Sequence, residues 1–148
     1  MLSNIDLDNI ATDHDIDLVG IFSKDELPSR PKDGNYIINL EDSDAGNGTH
    51  WTAFTIIDNK YACYFDSFGF MPPKEVLKYL LSYKPYGYNN RQIQDVKSDY
   101  CGYYCIAFLK TMQTPTKEPY ERFDDFLNAF TNNLKTNDKI VIEMLNKK

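Results

Sequence analysis

Only two histidines occur in the 148 residues, so any chemistry that needs an imidazole has two places to find one. His14 lies among aspartates and reads as a solvated surface residue. His50 stands between a turn-rich loop, Asp42-Ser-Asp-Ala-Gly-Asn-Gly48, and a run of strand-forming residues, Trp51-Thr-Ala-Phe-Thr-Ile-Ile57. Functional side chains are often presented at such a junction of loop and scaffold. Asp58-Asn-Lys60 reads as a turn and Tyr61-Ala-Cys-Tyr-Phe65 as the returning strand. A three-residue turn puts His50 opposite Phe68, with Asp66 diagonal to it on the same face. A two-residue turn would send the two side chains to opposite faces. A carboxylate beside the ring would accept its N–H, fix the tautomer and favour the charged form.

Cys101 is the candidate nucleophile. In Ser98-Asp-Tyr-Cys-Gly-Tyr-Tyr-Cys105 it opens an apolar helical repeat of Cys101, Tyr104, Cys105, Phe108, Leu109 and Met112, with Ser98 or Asp99 placed to cap the start. Free backbone N–H groups and the helix dipole at such a terminus stabilise a thiolate. Paired with an imidazole it would form a thiolate–imidazolium couple suited to acyl transfer. The oxyanion of that reaction needs a donor besides the Cys101 N–H. Gln94, seven residues upstream, is the first choice, and Gln92, on the same face of the expected strand Arg91–Val96, is its rival. Cys63 and Cys105 read as packing residues.

These side chains must be carried by a framework, and the elements point to an α+β fold: a central antiparallel or mixed sheet with flanking helices, in one domain over residues 1–148. The remaining expected elements are a helical turn near Ile5–Ile10, a single turn at Ser23–Glu26, and a strand at Tyr36–Leu40. After Pro72-Pro73 comes a helix with the apolar face Val76, Leu77, Leu80 and Leu81. A third helix is expected through Phe123, Phe126, Leu127, Phe130 and Leu134, and a short last one through Ile140, Ile142 and Leu145.

The net charge of −6 opposes binding to nucleic acid, and no apolar run approaches the ~18 residues of a membrane span. Three cysteines without disulfide spacing suit a reducing compartment, and the N-terminus lacks a basic and then apolar leader. There is no Gly-x-Ser-x-Gly elbow, phosphate loop or dinucleotide fingerprint. A metal site from His50, Cys101 and Cys105 would lack both Cys-x-x-Cys spacing and a fourth ligand. No cofactor is expected.

Gly48-Thr-His-Trp-Thr-Ala-Phe54, Cys63-Tyr-Phe-Asp-Ser-Phe-Gly-Phe70, and Gln94 followed by Asp99-Tyr-Cys-Gly-Tyr-Tyr-Cys-Ile-Ala-Phe-Leu109 together resemble the adenovirus endopeptidase (adenain) family of cysteine proteases. The likeness runs from about Leu18 to Met112, and in size and layout the chain is more similar to the proteases of virophages and Maverick/Polinton elements than to the longer adenoviral enzyme. It implies a papain-like fold in which His50 is the base, Asp66 its orienting acid, Gln94 the oxyanion donor and Cys101 the nucleophile. Asp66 stands where the adenoviral enzyme has Glu. No cysteine lies between Leu80 and Arg91 to hold an activating peptide through a disulfide, as that enzyme does. The resemblance further implies a monomeric enzyme of the virion and host-cell cytoplasm, cutting capsid and other structural precursors at small residues such as Gly. Two alternatives share the fold: an isopeptidase for ubiquitin- or SUMO-like proteins, and an inactive binding module.

Overall fold

The structure is a computed structural model that describes residues 1–41 and 50–147. The loop expected at Asp42–Gly48 lies outside the described residues. Among the described residues five strands form one sheet in the order β1 (Leu18–Ser23), β2 (Gly34–Asn39), β3 (Trp51–Ile57), β4 (Tyr61–Phe65) and β5 (Gly87–Tyr88). The outer pairs β1–β2 and β4–β5 are parallel and the inner pairs antiparallel, so of the two expected forms, antiparallel or mixed, the sheet is mixed.

The β3–β4 hairpin fixes the register. Ile57 pairs with Tyr61 and Ala53 with Phe65, leaving a three-residue turn in which Asp58 and Asn59 take positive φ of 56° and 50°. Asp and Asn tolerate that backbone better than most residues.

Both faces of the sheet are buried. One face sets Ile37, Trp51, Ala53, Cys63 and Phe65 against α1 (Asn4–Asp13), α3 (Cys101–Met112), α4 (Pro119–Asn128) and α5 (Leu134–Asn146). The other sets Tyr36, Ile38, Phe54, Ile56 and Tyr64 against α2 (Lys74–Leu80), with Tyr36 and Phe54 stacked at 4.3 Å. Helix α3 is apolar nearly all round, the signature of a helix inside the core, so its first residue is held rigidly at the end of the sheet. No helix among the described residues is long and apolar enough to cross a membrane.

Four expectations need correction. Arg91–Val96 is not a strand: Ser67 O accepts the N–H groups of both Ile93 (2.8 Å) and Gln94 (3.0 Å), which curls the chain, and these two adjacent residues are both buried. The outer strand is β5 instead. Leu134 begins α5, because the chain breaks after α4 and Thr131 N–H is taken by the buried Asn137 side chain. Neither Ser98 nor Asp99 caps α3: its N-cap is Tyr100, without a side-chain bond, and Ser98 Oγ accepts from Tyr100 N–H. Leu81 lies beyond the end of α2 and is exposed, whereas Tyr79 joins the buried face.

Candidate active site

His50 occupies the residue before β3, with its ring mostly covered. Its Nε2 lies 2.7 Å from Asp66 Oδ1. The ring of Phe68 stacks on the imidazole at 4.4 Å and 18°, the contact expected from their opposition across the hairpin. Asp66 is fully buried at the end of β4. Its Oδ1 also accepts the N–H of Phe68 at 2.8 Å, and the Gly69 N–H closes the turn onto Asp66 O at 2.8 Å. Gly69 has φ +80°, and a Cβ there would meet the Arg91 carbonyl carbon at 2.7 Å, so glycine serves both the turn and the close approach of the next loop.

That loop grips Asp66 from behind. Asn89 Oδ1 accepts the Asp66 N–H at 3.1 Å and Asn89 Nδ2 donates to Asp66 O at 2.6 Å, so a buried side chain continues the pairing where β5 ends. The sequence carries no local pattern that marks Asn89: its value lies in main-chain groups 23 residues away. Ser67 Oγ donates to Gln94 Oε1 at 2.5 Å, fixing which end of that amide points inward. Gln94 Nε2 faces Ser98, at 3.0 Å from its carbonyl and 3.2 Å from its hydroxyl. Gln94 is fully buried, whereas Gln92 is exposed and spends its amide on Gln94 O at 2.9 Å.

Cys101 is the first residue of α3, where N–H groups lack intrahelical partners and the N-cap Tyr100 makes no side-chain bond to them. It lies within electrostatic reach of the His50 ring: burial by itself would lower the imidazole pKa, but the interactions with Asp66 and with Cys101 outweigh it and raise it to about 9. His50 Nδ1 has no full hydrogen bond, as is common for catalytic contacts before substrate arrives. The three cysteines do not differ in exposure, each at 1 %; they differ in neighbours. Burial pushes Cys63 up to about 12, with Asp124 and Glu118 adding to it, and burial raises Cys105 strongly. Only Cys101 has an imidazole beside it.

The arrangement therefore joins a carboxylate, an imidazole that holds a proton at neutral pH, and a sulfur at a helix N-terminus, with a buried amide in the loop leading to that sulfur. Among the described residues no group of three or more His, Cys, Asp or Glu side chains could hold a metal ion. His14 belongs to none of this: it caps the C-terminal end of α1.

No family model matches the chain, and no curated protein matches its sequence. Among solved structures, the selenomethionine crystal structure of ASFV pS273R protease is similar over 66 % of this chain and 43 % of that one, with 22 % identity and a TM-score of 0.35. The matched region thus spans less than half the length of that protease, and so loose a likeness carries no argument about chemistry.

Proposed function

We propose that this chain is a cysteine endopeptidase. One observation carries the reading: a single imidazole is bonded at Nε2 to a buried carboxylate and meets, in its neighbourhood, a sulfur at the first position of a buried helix. An imidazolium and a helix N-terminus are the two surroundings that favour a thiolate.

In the proposed cycle Cys101 Sγ attacks the scissile carbonyl carbon, forming the C–S bond while the carbonyl π electrons move to oxygen. The Cys101 N–H faces that oxyanion, and Gln94 Nε2 joins it by exchanging its bond to Ser98 Oγ. His50 gives its proton to the departing amine as the C–N bond breaks. A water, deprotonated by His50, then attacks the thioester, releasing the acid and returning the thiol. Asp66 keeps Nε2 in place and stabilises the ring while it is charged.

The substrate reading is finer. The motifs around His50, Asp66 and Cys101, and their likeness to adenovirus endopeptidases and virophage proteases, support maturation of viral capsid precursors at small residues such as Gly, by a monomer acting in the virion and host-cell cytoplasm without a cofactor. Incubation with candidate viral capsid and other structural proteins, and separately with di-ubiquitin, tests this. New termini read by mass spectrometry in the structural proteins support maturation. Cleavage of di-ubiquitin alone would make the chain an isopeptidase, and cleavage of neither would point to an inactive module.

A further inference from the structure

Five buried side-chain polar atoms among the described residues lack a hydrogen-bond partner, and four of them belong to one patch: His50 Nδ1, Thr52 Oγ1, Tyr64 OH and Asp66 Oδ2. Strand geometry explains the gathering. Alternate residues share a face, so Tyr64, which pairs with Phe54, and Asp66, which comes opposite Thr52 one step further on, project with His50 to the α2 side of the ribbon. Thr52, Tyr64 and Asp66 are all inaccessible to solvent.

The donor and acceptor inventory is complementary. Both ligands of the carboxylate, His50 Nε2 and Phe68 N–H, use Oδ1, which leaves Oδ2 an acceptor with no donor. Burial, reinforced by the charge of Asp66, keeps the Tyr64 phenol protonated, and Thr52 lies close enough to interact with it. The titratable groups around Asp66 are His50, the residue before β3, Tyr64 from β4, and Cys105 from α3. Of these, Tyr64 is the one whose hydroxyl lies on the same face as Asp66 and has no hydrogen-bond partner. Buried donors and acceptors left unpaired are costly, and Tyr64 OH and Asp66 Oδ2 are both without a partner on the same face of the ribbon.

We propose that Tyr64 and Thr52 are positioning residues for Asp66: the Tyr64 hydroxyl, steadied by Thr52 Oγ1, holds Oδ2 so that Oδ1 stays in line with His50 Nε2. The effect on rate rests on the peptidase reading; the hydrogen bonding does not. Neither residue touches the reacting atoms.

The test uses Tyr64→Phe and Thr52→Val, each of which removes one hydroxyl with little change in shape. The substrate-free readout is the proton NMR signal of His50 Nε2–H, assigned by its loss in His50→Gln. Without the hydroxyl that holds Oδ2, Oδ1 leaves its line with Nε2, the bond lengthens and the signal moves upfield, while kcat for a cleaved peptide falls about 10-fold at unchanged KM. An unmoved signal in a folded Tyr64→Phe protein overturns the proposal whatever its rate. Should Tyr64→Phe not fold, the signal in Thr52→Val decides on the same terms. A wild type that cleaves nothing but shows the shift sinks the peptidase reading and leaves the support of Asp66 standing.

Discussion

His50 Nε2 and Asp66 Oδ1 are 2.7 Å apart across the mouth of the β3–β4 hairpin, although neither residue belongs to a strand. The three-residue turn at the far end sets this meeting, because it puts His50 and Asp66 on one face, and the Phe68 ring seals it from above.

The pair makes stability depend on pH. His50 titrates near 9 in the folded chain against an ordinary 6.5, so between those values the folded state holds a proton that the unfolded state has released. Its contribution is complete below about pH 6.5 and is lost as pH rises through about 9, a change of about 3 kcal/mol. Urea denaturation across this range should show the loss in the wild type and its absence in His50→Gln.

Cys101→Ala removes one sulfur from the start of α3 and leaves the core otherwise intact. Peptide cleavage should fall by at least about 1,000-fold with Tm within a few degrees of wild type. Retained cleavage would move the nucleophile elsewhere.

Asn89→Ala withdraws both main-chain bonds from Asp66 and leaves a buried N–H and C=O unpaired. Chemical denaturation should register a loss of about 3 kcal/mol, together with a fall in kcat larger than any change in KM.

Gln94 and Gln92 separate by rate. Gln94→Ala should reduce kcat about 100-fold, as loss of an oxyanion donor does, whereas Gln92→Ala, at an exposed position, should change it less than about 3-fold. The reverse order would transfer the role to Gln92.

Gly69→Ala forces a side chain into positive φ and onto the Arg91 carbonyl. It should destabilise the protein by about 2 kcal/mol or more and slow cleavage, since Ser67 and Gln94 hang from the same contact.

Much of the framework was legible because it is local. Asp58-Asn-Lys60 announces a turn by residue type, the turn sets the register, and the register sets His50 against Phe68. The i, i+4 spacing from Cys101 likewise locates α3 and the N–H groups at its start that lack intrahelical partners. What escaped the sequence is non-local. Arg91–Val96 alternates like a strand, but one carbonyl, Ser67 O, captures two of its amides and bends it. Asn89 and the Thr52–Tyr64 pair matter only through main-chain or carboxylate groups that folding brings to them, and no spacing rule marks such residues. Leu134 fits the helical period of Phe123–Phe130, yet the buried Asn137 pulls the chain out of α4 before it arrives.

The most direct test is the rate of iodoacetamide alkylation at each cysteine near pH 7, read by mass spectrometry in wild type and His50→Ala. Cys63, Cys101 and Cys105 are equally buried, so exposure alone cannot separate them. The account predicts that Cys101 reacts far faster than the other two and loses that advantage when the imidazole is removed. A Cys101 that reacts no faster than Cys63 or Cys105, or one indifferent to His50, would contradict it.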